Sequence, residues 1–193
     1  MSPTTPYPRR WWALAVLSLG LLVISLDNTI LNVALPSLSD DLGATSSELQ
    51  WIVDAYMLVF AGLLLTAGSL GDRFGRKRAL TLGLFIFGAA SAASAMAQTP
   101  AALIAGRAMM GIGGALIMPS TLSIVTATFP ADERPKAIGI WAAVAGIGVA
   151  IGPVAGGWLV ENASWHWVFL VNVPFVLIAL AAGQRLIPES RDP

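Results

Sequence analysis

The sequence predicts an all-α integral membrane protein with six transmembrane helices, and three observations carry that expectation. Charged residues make up only 11% of the 193 residues and hydrophobic residues 56%, with a mean hydropathy of +0.74. A water-soluble domain carries roughly 25% charged residues, so this chain must use lipid as its solvent. Six apolar runs each come near or above the ~20 residues that a helix needs to cross the hydrocarbon core. Ten of the eleven lysines and arginines fall in segments that six successive crossings would leave on one side.

The same composition excludes other classes. A net charge of zero argues against a nucleic-acid partner. The absence of cysteine removes disulfides, thiol nucleophiles and thiolate metal sites, and the single histidine, His166, removes a His-rich metal cluster. There is no G-x-x-x-x-G-K-[ST] loop, so ATP is not the direct energy source within this chain, and no H-E-x-x-H metal site. Neither a cofactor nor an enzymatic activity is implied.

In chain order, residues 1–10 are expected to form a disordered cytoplasmic N-terminus, since Met1 to Pro8 is polar and proline-rich. Residues 11–187 are expected to form a six-helix bundle, with helices at about 11–35, 49–70, 79–97, 101–127, 137–160 and 167–187. The first run is longer than the roughly 7–15 apolar residues of a signal-peptide core, and no convincing cleavage site follows, so it is read as a retained helix. Residues 188–193 are expected to begin a cytoplasmic linker.

Orientation follows from charge. Arg9 and Arg10 precede the first helix. Arg73, Arg76, Lys77 and Arg78 join the second and third, Arg134 and Lys136 the fourth and fifth, and Arg185 and Arg191 end the chain. The opposite loops hold Asp40, Asp41, Glu48 and Glu161 without a basic residue. The positive-inside rule therefore puts both termini in the cytoplasm. Trp11, Trp12, Trp51, Trp165 and Trp167 lie at expected helix ends, where aromatic residues anchor at the headgroups.

The eleventh basic residue, Arg107, falls inside the fourth helix, and Asp27 lies inside the first. Intramembrane charge is costly and normally faces a partner or a watery cavity, so pairing of Asp27 with Arg107 is the favoured arrangement. Snorkelling of Arg107 to the headgroups and a purely structural hydrogen bond for Asp27 are the alternatives. Protonation of Asp27 would break such a pair and so couple proton movement to a helix rearrangement. Asn28, Thr29 and Asn32 make the same helix polar and suit a cavity wall. Asp54 is an interfacial carboxylate with access to water or, alternatively, a contact for a cationic substrate.

Between the second and third helices lies the charge-dense turn Gly68-Ser69-Leu70-Gly71-Asp72-Arg73-Phe74-Gly75-Arg76-Lys77-Arg78, in which Gly71 and Gly75 are expected to let the backbone reverse. Asp72 and Arg73 are placed to bond the helix ends or each other. In the fifth helix, Gly148, Gly152 and Gly156 fall four apart and line one face, which permits close helix approach. Pro153 removes a backbone donor there and favours a kink, and Gly157 follows the strip.

These segments carry a resemblance. The turn at 68–78 resembles the loop joining the second and third helices in transporters of the major facilitator superfamily, with Gly68, Gly71, Asp72, Arg73, Gly75 and Arg76 as its conformational residues. Leu26-Asp27-Asn28-Thr29-Ile30-Leu31-Asn32-Val33-Ala34-Leu35-Pro36 resembles the first-helix signature of drug:proton antiporters. Arg107-Ala108-Met109-Met110-Gly111-Ile112-Gly113-Gly114-Ala115 resembles their fourth-helix motif, whose arginine is implicated in proton transfer. Gly148-x-x-x-Gly152-Pro153-x-x-Gly156-Gly157 is similar to the fifth-helix motif associated with antiport. Trp165-His166-Trp167-Val168-Phe169-Leu170-Val171-Asn172-Val173-Pro174 is similar to the start of the sixth helix in the fourteen-helix branch. Two positions depart from the pattern: Met110 stands where glutamine is usual and His166 where arginine is usual. His166 would put a titrating group in place of a fixed charge, an exposed turn residue being the other reading.

The resemblance implies the N-terminal half of the major facilitator fold, built as a 3+3 inverted repeat, although no residue-level repeat is visible. It implies a multi-pass protein of the cell (inner) membrane that exports lipophilic or cationic drug-like compounds against protons. Asp27 and Arg107 would couple the proton, and Asn28, Asn32, Asp54 and Met110 would line the substrate cavity. The partners implied are membrane lipid, a small-molecule substrate, protons, and either a missing second half or a second protomer, since family members place the substrate between two halves. The basic loop and the glycine strip are expected to face that missing partner or lipid. A half-transporter working as a dimer, a sugar or organic-acid importer, a polytopic membrane enzyme and a non-transporting fragment that binds another membrane protein are the competing readings.

Overall fold

A computed structural model describes residues 7–190, and no strand occurs among them. The helices are α1 (Arg10–Leu42), α2 (Ser46–Phe74), α3 (Arg76–Ala95), α4 (Pro100–Thr128) and α5 (Arg134–Asn162), followed by a sixth span in two pieces, α6 (His166–Leu170) and α7 (Asn172–Leu186). Among the described residues, six spans are long and apolar enough to cross a membrane.

Helices outrun the apolar runs that announced them. α1 continues through Pro36 and stops at Gly43, whose φ of 62° only a residue without a β-carbon adopts easily. Asp27 therefore sits mid-helix. α2 opens on a reciprocal cap: Thr45 Oγ1 accepts from the Glu48 backbone N–H at 3.3 Å, and a Glu48 carboxylate oxygen accepts from the Thr45 N–H at 2.9 Å. α4 opens on Thr99, whose hydroxyl accepts from the Ala102 N–H, with Pro100 as the first helical residue.

The expected turn at 68–78 is almost entirely helical. Only Gly75, at φ 121°, breaks the chain between α2 and α3, and Gly71 is a helical residue packed against Ala79 and Ser120. Asp72 pairs with Arg76 at 2.7 Å one turn on, not with its neighbour Arg73, which lies over the Phe74 ring. The Gly75 break lies between Asp72 and Arg76, so this pair ties the end of α2 to the start of α3.

The first residues of the expected disordered segment, 1–6, lie outside the described residues, as do 191–193. The remainder of that segment is ordered: the Tyr7 hydroxyl donates to the Leu186 carbonyl at 3.3 Å and α1 has begun by Arg10. At the other end, residues 188–190 fold back on α3. A Glu189 carboxylate oxygen accepts from the Lys77 N–H and the Ser190 carbonyl accepts from the Arg76 N–H, at 3.1 and 3.0 Å. Gly75 has no side chain with which to cap α3, so these distant groups satisfy its first donors instead.

Packing supplies the repeat that the residues hide. α4 packs most extensively on α2 and α3, while α1 packs most extensively on α5 and on α7. Exchanging the first three spans for the last three turns one set of contacts into the other. Three crossings per unit make the two units antiparallel, which is an inverted repeat. The glycine strip serves this packing. A β-carbon at Gly148 would meet Leu22 and Ser25 at about 3.0 Å, and one at Gly156 would meet the Ile30 carbonyl at 3.0 Å. The expectation that the strip faces a missing partner is thereby corrected: it seats α5 on α1 inside this bundle. At the mirror interface the close approach comes from the opposite helix, where Gly111 brings α4 against the Tyr56 carbonyl of α2.

Candidate functional site

Asp27 and Arg107 come together in the centre of the bundle. Arg107 Nη1 lies 2.5 Å from Asp27 Oδ2, and the side chains are 1% and 0% exposed. Snorkelling of Arg107 is excluded by that burial. Its Nε donates to the Ile52 carbonyl at 3.1 Å, and its guanidinium carbon lies 4.4 Å from the centre of the Tyr56 ring, so α2 supplies a carbonyl and a π face to the cation. A lone buried ion pair is costly to desolvate, and these extra partners satisfy what the pair alone leaves open.

The carboxylate is held from its other side. Asp27 Oδ1 accepts from Asn172 Nδ2 at 3.0 Å, and the same amide nitrogen donates to Ser91 Oγ at 3.1 Å. Ser91 in turn donates to the Phe169 carbonyl at 2.8 Å. Asn172 stands at the break between α6 and α7. Pro174 lacks the N–H that would have bonded the Leu170 carbonyl, which helps to keep the sixth span in two pieces. Five of the six spans thus meet around one carboxylate, and their charges cancel within it.

Sequence reasoning did not single out Asn172, Ser91 or Tyr56. A polar residue in the apolar run from Trp167 to Ile187, just before Val173-Pro174, was the available signal for Asn172. Nothing in the sequence marked Ser91 above its serine neighbours.

The remaining expected site residues scatter. Asn28 and Asn32 are partly buried and exposed, and their amides donate back to the Ile24 and Asn28 carbonyls on α1 itself, at 2.9 and 3.0 Å. Asp54 is half-buried on α2. Met110 does not line an open wall: it is 0% exposed, and its sulfur lies 3.9 Å from both Arg107 Nη1 and Ser94 Oγ. Being three residues from Arg107, it shares that residue's inward face. Pro153 is exposed within an unbroken α5, and Gly157 is half-buried near Val33. His166 is half-buried at the start of α6, stacked on Trp165 with ring centres 3.9 Å apart, its Nδ1 3.1 Å from Ser164 Oγ. Trp165 itself is 1% exposed and packs edge-on to Phe169, so it is a core residue and not a headgroup anchor. Trp11, Trp12, Trp51 and Trp167 are exposed at helix ends. Among the described residues no group of three His, Asp or Glu is placed to hold a metal ion.

Large apolar side chains are exposed on several outer faces, Leu82 and Phe85 on α3 and Leu177 and Ile178 on α7 among them. α2 exposes Met57, Leu58 and Leu65, and α5 exposes Ile147, Ile151 and Val154; Leu65 is 87% and Val154 76% exposed. The end of the bundle that carries the basic residues is closed by pairs. Arg10 makes a two-point contact with Glu133, at 2.7 and 2.9 Å, and Lys77 Nζ donates to the Gln184 carbonyl at 2.9 Å.

Comparison with known proteins is consistent with this arrangement. Residues 17–193 match the Major Facilitator Superfamily. The chain is 48% identical over its whole length to the multidrug efflux pump LfrA of Mycolicibacterium smegmatis, covering 38% of that protein. It is 46% identical to the methyl viologen resistance protein SmvA of Salmonella typhimurium, over 94% of this chain and 37% of that one. It is 39% identical to the riboflavin transporter RibZ of Clostridioides difficile, over 94% of this chain and 40% of that one. Among solved structures, a peptide transporter superposes with a TM-score of 0.79 at 20% identity, over 89% of this chain and 37% of the other, a likeness of fold. The chain thus spans well under half the length of the curated relatives it matches.

Proposed function

The chain belongs to the major facilitator superfamily, and on that premise we propose that it is the N-terminal six-helix part of a proton-coupled exporter of lipophilic or cationic drug-like compounds. The observation that carries this reading is the buried Asp27–Arg107 pair. It is neutral as a whole, it joins the two units of the repeat, and it holds a carboxylate where a proton would change the charge balance. An ionisable pair at such depth is expensive unless function retains it. The relatives named for multidrug efflux and methyl viologen resistance support the substrate class, and the riboflavin transporter marks how far it extends.

The chain then works as a transporter and not as an enzyme, in the cell (inner) membrane with both termini and the basic loops cytoplasmic. Residues 11–187 form its membrane bundle. Asp54 and the polar face at Asn28 and Asn32 remain the groups proposed to meet a cationic substrate. The loop residues Gly68, Gly71, Asp72, Arg73, Gly75 and Arg76 act as the hinge region between α2 and α3. The partners are lipid, substrate, protons and a second half that covers α2 and α5.

Cells expressing the protein and loaded with a lipophilic cation test the reading. Efflux that collapses on adding a protonophore and is lost in Asp27→Asn supports it. Proton-driven efflux that persists in Asp27→Asn removes the coupling role.

The bare α2 and α5 faces favour one second reading, a half-transporter that works as a dimer. Native mass spectrometry in nanodiscs distinguishes the two, because a discrete dimer would supply the missing wall from a second copy.

A further inference from the structure

We infer that Asn172 is the residue that reports the protonation state of Asp27 to the sixth span. Its amide donates to the carboxylate when Asp27 is charged and turns over to accept from the acid when Asp27 is protonated. This rests on the reading of Asp27 as the proton site and adds to it the group that senses the proton.

The observation behind it is an imbalance. Asn172 is fully buried and uses its amide nitrogen twice, toward Asp27 Oδ1 and toward Ser91 Oγ, while its own Oδ1 is buried with no partner. A buried carbonyl oxygen without a donor is rare and calls for a reason. A charged carboxylate needs donors, and Arg107 and Asn172 supply them. A neutral acid carries one O–H and needs an acceptor. Around Asp27 the other carbonyl acceptors are engaged: the Ile52 oxygen by Arg107 Nε, the Phe169 oxygen by Ser91. The Tyr56 hydroxyl, against Arg107, is buried without a partner as well, but Asn172 Oδ1 is the open acceptor on the amide that already touches Asp27.

The groups that face Asp27 are few. Arg107 on α4 and Tyr56 on α2 are the titratable ones. α3 and α7 present the neutral Ser91 and Asn172, and α5 packs on α1 through its glycine strip. A hydronium ion gives its proton to Asp27 Oδ1, so that one O–H bond forms on the carboxylate, one breaks in the donor and water is left; no other covalent bond changes.

Turning the amide carries the signal onward. With Oδ1 in place of Nδ2, Asn172 no longer donates to Ser91 but accepts from it. The Ser91 hydroxyl then leaves the Phe169 carbonyl, which lies at the break between α6 and α7. Protonation on α1 is in this way felt where Pro174 interrupts the hydrogen-bond ladder of the sixth span, through hydrogen-bond reversal alone.

Infrared difference spectroscopy of the protein in nanodiscs, with asparagine side chains isotope-labelled, tests this. The Asp27 carboxyl band is assigned by its loss in Asp27→Asn and the Asn172 amide band by its loss in Asn172→Leu, with Asn172→Thr as the milder substitute. The expected result is an Asn172 amide band that shifts in step with the Asp27 carboxyl band as pH falls. In Asp27→Asn, whose amide mimics the neutral acid by donating, the Asn172 band should sit at its acid-side position at every pH. A carboxyl band that titrates while the amide band stays still overturns the inference and leaves the proton reading standing. A carboxyl band that never titrates while the protein is folded overturns both.

Discussion

Asp27 Oδ2 and Arg107 Nη1 lie 2.5 Å apart across 80 positions of sequence, and neither side chain reaches solvent. The pair pins the first helix of one repeat unit to the first helix of the other. Removing one partner strands the other charge, which costs about 3–5 kcal/mol for a buried pair. Arg107→Leu or Asp27→Leu alone should therefore lower thermal stability in detergent sharply. The double Leu variant, with no charge left to strand, should recover most of the loss while remaining inactive in proton-driven efflux. A double variant no more stable than either single one would mean that the two residues act independently.

Gly152 sets the distance between α5 and α1. A β-carbon there would overlap the Thr29 hydroxyl and approach Thr29 Cβ to 2.7 Å, and that hydroxyl is already engaged with the Ser25 and Leu26 carbonyls. Gly152→Ala should destabilise the protein by about 1–3 kcal/mol through overpacking. Gly139, on the same helix, has open space where its β-carbon would go. Gly139→Ala should be neutral or stabilising by up to about 1 kcal/mol, from helix propensity. Thermal melts of the two variants side by side check this, and equal effects would refute the assignment of the strip to the α1 contact.

Six spans and the meeting of Asp27 with Arg107 were legible in the sequence because each is dictated by a large cost: unsatisfied backbone in lipid, and unpaired charge in lipid. What decides a neighbour among many was not. The glycine strip announced a close contact without naming α1 as its partner, because spacing fixes a face and not what lies opposite. Met110 and Trp165 were assigned to a cavity and to the headgroups from their places in motifs and near helix ends. The structure buries both, since at 3.6 residues per turn a shift of one residue moves a side chain by about 100° around the helix. The turn at 68–78 shows the same limit, its glycines and charges fitting a loop or a pair of helix ends until Gly75 proved to be the only break.

Glu133 links stability to pH at the end of the bundle. The hydrogen bonds from Arg10, with smaller charge effects from Arg10 and Lys136, hold its carboxyl below the ordinary value of 4.5. A depressed acid contributes stability that is complete above its unfolded value and is lost as pH falls through the lower folded one. Protection against hydrogen exchange at the start of α1, taken relative to the intrinsic rate at each pH, should hence be high at neutral pH and fall as pH drops below 4.5 through the lower folded value. Glu133→Gln should exchange faster at neutral pH and lose that acid-dependent step. An unchanged acid step in the variant would assign it to another carboxylate.

Glu189 is the remaining test, and it concerns how the end of the sixth span reaches the α2–α3 junction. Its carboxylate accepts from the Lys77 N–H at 3.1 Å, while Arg78 Nε lies 3.8 Å away with a side chain 71% exposed. The backbone bond satisfies a donor that Gly75 cannot cap, so Glu189→Ala should cost about 1 kcal/mol, the size of a lost helix cap. An exposed ion pair of that length contributes about 0–1 kcal/mol, so Arg78→Ala should change little. Site-resolved hydrogen exchange at Lys77 reads the difference: several-fold faster in Glu189→Ala and close to wild type in Arg78→Ala. The opposite order would mean that the tail is held by charge and not by the helix end, and that salt should release it.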